Sequence, residues 1–366
     1  MKSLLICEYD THEKNVNEYY KLLKKGFRCK ILTTKKIANN LHNIKKSDLI
    51  IYQGPKIFSY IFLIIKAINF NYIYIPSALE YPYNPKSILA KIYFLINFLF
   101  FITFLLFFRN RTIIKIVSIY SFFHIKNFNI NNSFFSKLRF LILIIGKKFL
   151  METSELTNNL KKYFHKKNIL KNKLFTFMYI AHVYKINKIN KINKINKINF
   201  GVLGAIDSTR KNYQYLLNAI KKINIKKINI YFLGENIKNI SNKVIKKFIK
   251  YKIYYPKSYL KDDVFNKWGS KCNILLSLNR NDLYYGSLKG TGSYGDAIFL
   301  QKPLVAPYFF DKKKEFKDFI IYYKNYSEFK KIINKIINKK ISYKTCFNNN
   351  YYKNHLSRIS NDLELN

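Results

Sequence analysis

Short apolar segments alternate with helical ones along this chain, and the alternation constrains the fold more than any other feature of the sequence. Strand candidates lie at 3–7, 27–32, 47–52, 71–75, 148–151 and 175–180, and then at 200–204, 228–233, 253–255, 273–278 and 302–306. Apolar residues at helical spacing separate several of them, at 15–25, 152–164, 213–222, 261–268 and 293–300. Because strands joined through helices form parallel sheets with helices on both faces, the sequence predicts an α/β protein.

A tripeptide repeat divides the chain into two halves. Residues 185–199 are five copies of Lys-Ile-Asn. A period of three matches neither a strand nor an α-helix. We therefore predict a linker at 185–199, between an N-terminal domain at 1–184 and a C-terminal domain at 200–366. A linker tolerates changes in length because the cost of loop closure rises slowly with length.

The formal net charge of +46 arises from 66 Lys and Arg against 20 Asp and Glu. Lys, Asn, Ile, Tyr and Phe share A/T-rich codons, so a bias in base composition accounts for their common excess. A basic chain also attracts nucleic acid, anionic lipid or diphosphate substrates. We assign most of the charge to solvated lysines and give weight only to local departures from this background.

One local departure covers residues 81–150, which contain no Asp or Glu. Within this stretch, residues 92–108 are apolar except for Asn97 and Thr103, with Lys91 before them and Arg109 after them. The ten basic residues of the stretch are Lys86, Lys91, Arg109, Arg111, Lys115, Lys126, Lys137, Arg139, Lys147 and Lys148. An apolar run with basic flanks is typical of a membrane interface, where the cations meet lipid phosphates.

Three interpretations compete for residues 92–108. The run is at the lower limit for a transmembrane helix, which needs about 17–25 residues. A fully buried core helix is the second interpretation. We favour the third, an interfacial or re-entrant helix, because the segments before and after the run belong to one predicted domain. The sequence therefore predicts peripheral or monotopic attachment to an anionic membrane surface through residues 81–150.

Two features favour a cytoplasmic location, on the inner face of the cell membrane. The four cysteines have neither metal-ligand nor redox spacing, and they do not form a disulfide pattern. The N-terminal apolar run is short and is followed by acidic residues, unlike a secretory signal peptide.

The second half carries the candidate binding residues. Ligands of parallel α/β sheets bind at the carboxyl ends of the strands, which makes 204–211, 234–236 and 279–296 the candidate loops. Arg210 and Lys211 form a basic pair suited to a diphosphate. Four glycines between 286 and 295 let backbone N–H groups approach an anion, and Ser293 stands where a helix should begin. The alternative for this loop is a long turn with a helix cap.

The second half resembles the donor domain of GT-B glycosyltransferases, in particular the retaining family-4 (group 1) type. Residues 200–220 are similar to that family's first strand, loop and helix, and residues 228–235 to its second strand and glycine turn. Residues 271–306 resemble its Gly-rich loop, helix and following strand, and residues 149–164 the segment that leads to the linker. The resemblance implies two Rossmann-like domains that face each other across a cleft, and a transfer of sugar from a nucleotide-sugar donor.

By the resemblance, Arg210 and Lys211 neutralise the donor diphosphate as it leaves, and Asp296 holds the nucleotide ribose. The other expected donor-binding residues are Glu235, Gly290, Thr291, Gly292 and Ser293. Glu80, which follows a strand candidate in the first half, is the expected catalytic group on the acceptor side. The resemblance implies no metal and no cofactor, so the nucleotide sugar is the co-substrate of a hexosyltransferase-like enzyme.

One departure from the family keeps other functions open. The family has two glutamates eight residues apart, and here the second falls on Asp296 and the first on Leu288. The retaining or inverting outcome is therefore open, and a non-catalytic membrane protein with a degenerate transferase fold is the main alternative. A nucleic-acid-binding protein is a further alternative, given the charge and the 31 Tyr and 32 Phe, but no nucleic-acid motif is present and we expect no nucleic-acid partner. The expected acceptor is a cell-envelope saccharide or a lipid-linked acceptor.

Overall fold

The fold is described from a computed structural model of the 366-residue chain. The structure describes residues 1–9, 13–24, 26–39, 41, 44–55, 58–75, 87–116, 123–124, 129–130, 141–151, 154–166, 174–177, 197–236, 238–258, 260, 262–280, 285, 291–312, 314, 316–317 and 319–338. These residues form two compact units. Unit 1 contains the elements up to Phe177, and unit 2 contains those from Ile198 to Ile337.

Unit 1 is built on a parallel seven-stranded sheet in the order β3-β2-β1-β4-β5-β8-β9, with β6 and β7 forming a separate antiparallel pair. Its strands are β1 (Ser3–Glu8), β2 (Arg28–Thr34), β3 (Leu49–Tyr52), β4 (Tyr72–Ile75), β5 (Thr112–Ile116), β6 (Phe123–His124), β7 (Asn129–Ile130), β8 (Lys148–Met151) and β9 (Leu174–Phe177). Its helices are α1 (Glu13–Leu23), α2 (Lys35–Ala38), α3 (Ser59–Ala67), α4 (Ile88–Phe108) and α5 (Ser154–Lys166). The interior strand β1 is buried over most of its length, as expected for a parallel sheet covered on both faces.

Unit 2 is built on a parallel six-stranded sheet in the order β12-β11-β10-β13-β14-β15. Its strands are β10 (Ile198–Leu203), β11 (Ile228–Leu233), β12 (Lys252–Tyr254), β13 (Ile274–Leu276), β14 (Leu304–Pro307) and β15 (Ile320–Tyr323). Its helices are α6 (Tyr213–Ile220), α7 (Lys238–Lys247), α8 (Asp262–Lys271), α9 (Ser293–Leu300) and α10 (Tyr326–Ile337). Helix α6 packs against α10, and α8 packs against α9.

The predicted α/β class with two parallel sheets is confirmed. The bounds of β11 and α9 are those expected from the sequence. The structure adds elements that the sequence analysis did not assign, among them β5, α3, α7, β15 and α10.

The repeat contributes to the second sheet. Strand β10 begins at Ile198, so the predicted linker boundary at 199 is wrong by two residues. Ile198 and Asn199 pair with Ile228 and Asn229 of β11, and the Asn199 N–H donates to Asn273 Oδ1 at 2.8 Å. Two residues of the last copy, Ile198 and Asn199, therefore belong to the strand. Residues 185–196, where the spacer is predicted, lie outside the described residues.

The apolar run at 92–108 lies in α4, which begins at Ile88. This helix is long and apolar enough to cross a membrane by length and composition, and no other helix among the described residues passes that test. It joins β4 to β5, which are parallel neighbours in the sheet of unit 1. One side of the helix is buried, and it includes Phe98, Phe101, Phe104 and Leu105. The helix packs against α3, where the Phe101 ring lies 5.1 Å from the Tyr60 ring.

Candidate functional site

The centre of the unit 2 sheet provides the site for the candidate residues. Strands β10 and β13 are neighbours, and the chain moves outward from them in opposite directions, to β11 and β12 on one side and to β14 and β15 on the other. Right-handed crossovers then bring the flanking helices to opposite faces. Such a reversal leaves a crevice outside the carboxyl ends of the two strands, where ligands of α/β sheets bind.

Two glycines let the carboxyl ends of β10 and β11 approach each other. Gly204 has φ +74°, a left-handed conformation that favours glycine. A Cβ atom added to Gly234 would lie 2.2 Å from the carbonyl carbon of Gly204. The Ile206 N–H also donates to the Glu235 carbonyl at 2.8 Å. The loop after β10 therefore begins in a fixed position beside the end of β11.

Asp207 shapes the rest of this loop. Its Oδ1 accepts from the Thr209 N–H at 2.8 Å and from the Thr209 hydroxyl at 2.6 Å, and its carbonyl accepts from the Lys211 N–H at 3.1 Å. The loop is also tied to the end of β13, because the Asn212 N–H donates to the Leu278 carbonyl at 2.8 Å. The loops that follow β10 and β13 are therefore held together at one edge of the sheet.

The two predicted cations of this loop have different environments. Arg210 is exposed, and its Nε donates to the Tyr285 hydroxyl at 3.2 Å. Lys211 is only 7% exposed, and its Nζ donates to the Ala205 carbonyl. Adjacent positions in the sequence thus provide one solvent-facing guanidinium and one buried ammonium.

The pKa of Lys211 is lowered to about 7, and burial is the largest cause. The positive charge of Arg210 contributes to the lowering, whereas the negative charges of Asp207 and Asp296 oppose it. An anion that arrived beside Lys211 would favour its charged form. The effect of Asp296 on this pKa means that the carboxylate at the start of α9 acts electrostatically on the loop after β10.

Hydroxyl groups line the start of α9. Thr291 and Ser293 are buried, and the Thr291 hydroxyl donates to Ser293 Oγ at 3.2 Å. Ser293 Oγ also lies 3.4 Å from Ser277 Oγ, at the end of β13. Gly292 is exposed, and a Cβ atom added there would meet no described atom within 4 Å. The turn therefore presents a small exposed residue between two anchored ones.

A pocket of about 610 Å³ lies at this edge of unit 2 and shares Lys211 with the site. Its basic lining residues are Lys211, Lys247, Arg280 and Lys324, and no carboxylate is among the described residues that line it. Asn212 and Asn279 supply amide groups, and tyrosine rings supply apolar surface. The volume and the charge suit a small anionic ligand.

The structure thus brings together most of the predicted donor-binding residues. Arg210 and Lys211 share a loop with Asp207, while Thr291, Gly292, Ser293 and Asp296 lie in the turn and first turn of α9. Glu235 is exposed at the end of β11. Gly290, Leu288 and the expected catalytic Glu80 lie outside the described residues. Among the described residues, no group of three or more His, Cys, Asp and Glu side chains could hold a metal ion.

Three contributors to this edge were not predicted from the sequence. Tyr285 fixes Arg210, Asp207 shapes the loop, and Ser277 meets Ser293. A tyrosine in a chain with 31 of them gives no signal of its role. The sequence Asp-Ser-Thr after a predicted strand does indicate a turn in which the Asp side chain accepts hydrogen bonds from the residue two positions later. From this pattern the role of Asp207 could have been predicted.

Unit 1 has a buried carboxylate at the corresponding position. Its chain reverses direction between β1 and β4, and β1 ends at Glu8, which is 1% exposed. The Thr33 hydroxyl donates to the Glu8 carbonyl at 2.7 Å. Burial and the neighbouring Glu8 charge both raise the pKa of the Cys7 thiol. The carboxylate predicted from the sequence for the acceptor side is Glu80, and Glu8 was not predicted to have a role.

Comparisons with known proteins find similarity in structure alone. No protein-family model matches the chain, and no curated protein matches its sequence. A UDP-GlcNAc 2-epimerase from Neisseria meningitidis, bound to UDP-GlcNAc, has 12% identity and a TM-score of 0.53, with 100% of both chains covered. An alpha-glucosyltransferase in complex with UDP has 10% identity and a TM-score of 0.54, with 99% of this chain and 95% of the other covered.

A third solved structure extends the range of chemistry found on this fold. The N-terminal domain of trehalose-6-phosphate phosphatase from Candida albicans has 8% identity and a TM-score of 0.59, with 100% of this chain and 94% of the other covered. At such identities the similarity shows the fold and not the reaction. The GT-B fold expected from the sequence is confirmed, over essentially the whole chain, by its likeness to GT-B glycosyltransferases and UDP-sugar epimerases.

Proposed function

We propose that this protein is a glycosyltransferase that takes a sugar from a nucleotide-sugar donor and passes it to a cell-envelope saccharide or a lipid-linked acceptor. The observation that carries the proposal is the convergence of the loop after β10 with the start of α9. Buried Lys211 on the first is within electrostatic reach of Asp296 on the second. A nucleotide sugar offers a diphosphate for the cation and ribose hydroxyls for the carboxylate.

Each group has a separate task in the proposed donor site. Arg210 and Lys211 bind the diphosphate and stabilise the charge that develops on it as the sugar leaves. The turn of Gly290, Thr291, Gly292 and Ser293 provides backbone N–H groups for a phosphate. Asp296 accepts hydrogen bonds from the ribose, and Glu235 contributes from the end of β11. The reaction needs no metal in this account, because the two cations supply the positive charge.

The acceptor side belongs to unit 1 in this proposal, with Glu80 as the expected catalytic group. The protein would work at the inner face of the cell membrane as a peripheral or monotopic protein. The basic, acid-free stretch at 81–150 supports this location. A protein bound to the membrane reaches a lipid-anchored acceptor directly, because the acceptor does not have to leave the bilayer.

A panel of nucleotide sugars tests the proposal. UDP-sugars come first, because several similar solved structures hold UDP or UDP-GlcNAc. We expect thermal stabilisation by one nucleotide class, and turnover only when an acceptor is present. Conversion of the nucleotide sugar without an acceptor would contradict transfer and favour epimerisation. Binding without any turnover would favour the non-catalytic alternative, and stabilisation by no nucleotide would contradict the donor site itself.

Gly292→Val provides a variant aimed at the phosphate turn. The described atoms leave room for the added side chain, and Gly292 has φ −64°, a conformation open to any residue. We therefore expect the variant to fold as the wild type does but to bind the nucleotide at least about tenfold more weakly, since the valine blocks backbone approach. Urea unfolding checks the fold and calorimetry the affinity. Unchanged affinity in a folded variant would remove this turn from the site.

A further inference from the structure

The outer side of α4 is apolar where a helix on a sheet is usually polar. Ile92, Leu99 and Leu106 recur every seven residues and therefore share one side of the helix. Leu99 and Leu106 are 64% and 56% exposed, and the neighbouring Phe107 is 77% exposed. The opposite side is buried, where the Phe101 ring lies 5.1 Å from that of Tyr60 in α3. A layer helix normally turns charged and polar residues outward, so this side is an exception.

The two polar residues of the apolar run do not interrupt this surface. Asn97 is buried, and its Nδ2 donates to the Tyr93 carbonyl at 2.9 Å. Thr103 is exposed, but its hydroxyl donates to the Leu99 carbonyl within the helix at 2.9 Å. The Thr103 hydroxyl is therefore already hydrogen-bonded, which lowers the cost of removing it from water.

Neighbouring elements extend the same surface. The connections from β3 to β4, β4 to β5 and β5 to β8 all advance in one direction across the sheet, so right-handed crossovers bring them to one face. Ile65 and Ile68 are exposed at the end of α3, and Leu141 and Ile144 are exposed in the segment that precedes β8. We call the exposed residues Ile65, Ile68, Ile92, Leu99, Leu106, Phe107, Leu141 and Ile144 the α3–α4 face.

Charges around the α3–α4 face have one sign. Lys91, near the start of α4, and Arg109 and Arg111, just after its end, are exposed. Between Asp48 and Glu152 the sequence has a single acidic residue, Glu80. A protein partner with an apolar patch would not require this bias. A surface that combines acyl chains with phosphates would.

We propose that the α3–α4 face is the membrane-contact surface of unit 1, and that it lies in the interfacial layer of an anionic bilayer with α4 parallel to the membrane plane. The apolar side chains enter the boundary between headgroups and acyl chains, while Lys91, Arg109 and Arg111 meet lipid phosphates. If the proposed transfer is correct, this surface holds unit 1 at the bilayer that carries a lipid-linked acceptor.

Vesicle sedimentation of the full chain tests the surface. The vesicles contain phosphatidylcholine alone or with about one third phosphatidylglycerol. We expect binding to the anionic vesicles, at least tenfold weaker binding for L99D/L106D, and less than twofold change for I225D/I249D. The control pair changes net charge equally and also replaces exposed branched aliphatic residues, but in unit 2, where Ile249 is 77% exposed. An equal loss of vesicle binding in both double variants, or no loss of binding in L99D/L106D, would overturn the proposal.

Insertion is measured separately with tryptophan at chosen positions. The chain has one tryptophan, Trp268 in unit 2, which supplies a constant background. Brominated acyl chains should quench L99W when anionic vesicles are added and should leave I249W unchanged. Lack of quenching in a vesicle-bound L99W protein would contradict an inserted face. A protein that dimerises without lipid, and loses the dimer in L99D/L106D, would assign the face to a second copy of the chain and overturn the proposal.

Discussion

Lys211 shows how far the sequence predicts a single residue. The Arg-Lys pair after a predicted strand indicated an anion site, and both residues do lie in the loop after β10. The sequence did not predict that one residue is exposed and the other buried, because burial depends on the packing of the whole loop. Arg210 faces solvent and Tyr285, whereas Lys211 is buried against the Ala205 carbonyl.

The lowered pKa of Lys211 leads to a pH prediction. Without ligand the pKa is about 7, so the ammonium is charged below that pH and increasingly neutral above it. A bound diphosphate favours the charged form and raises the pKa, so binding above pH 7 takes up a proton. Affinity should fall by up to about tenfold per pH unit above 7, until the pH reaches the raised pKa.

Calorimetry in two buffers of different ionisation heat measures this proton uptake directly. Lys211→Met should weaken binding and remove both the uptake and the decline above pH 7. If the variant kept the same pH profile as the wild type, another group would be responsible and Lys211 would lie outside the site.

Gly234 carries a second prediction at the scale of a residue. A Cβ atom at this position would lie 2.2 Å from a backbone carbon of Gly204, which has no flexible side chain to move aside. Gly234→Ala should therefore lower the free energy of unfolding by about 1–3 kcal/mol or more. Gly292→Ala is the matched control, since open space surrounds it, and urea unfolding compares the two. Equal stabilities would mean that β10 and β11 approach less closely than described.

At the scale of elements, the sequence located those with clear boundaries. Gly234 closes β11, and the glycine-rich loop precedes α9, so both sets of bounds were correct. No glycine or proline follows Pro307, and β15 and α10 in that region were not assigned. Strand β5 was missed because it directly follows the apolar run of α4, whose basic flanks were interpreted as a membrane signal.

The tripeptide repeat provides a prediction about one element. Its last copy enters β10, where Asn199 Nδ2 donates to the Lys271 carbonyl at 2.7 Å and Asn199 Oδ1 accepts from Asn229 at 2.7 Å. Asn199→Ala should therefore cost about 1–3 kcal/mol of unfolding free energy. Asn196→Ala, in the preceding copy and in the predicted spacer, should cost less than about 0.5 kcal/mol.

Deletion of one copy tests the spacer itself. Any deleted Lys-Ile-Asn unit leaves the same sequence, so the strand keeps its Ile-Asn pair whichever copy is removed. We expect stability and nucleotide binding to stay nearly unchanged. A large loss of stability on deletion, or equal costs for the two asparagine variants, would show that the spacer and the strand are not distinct.

For the whole molecule, the fold could be predicted from the sequence, but the reaction could not. Alternating strands and helices were enough to predict two parallel sheets, and similar solved structures confirm the GT-B fold. The same fold includes transferases and epimerases, so the reaction depends on particular side chains. We therefore propose a local site, in which the loops after β10 and β13 and the start of α9 bind one nucleotide diphosphate.

Calorimetric titration of UDP, GDP, ADP and dTDP into the wild type, Arg210→Ala and Lys226→Ala tests the proposed site. Lys226 is exposed just before β11, at the opposite edge of the sheet, and its variant removes the same charge away from the site. We predict that the wild type binds at least one nucleotide, that Arg210→Ala binds it more weakly by about 1.5–3 kcal/mol, and that Lys226→Ala binds it within about twofold of the wild type. Equal binding by all three proteins, or no binding by the wild type, would contradict the account.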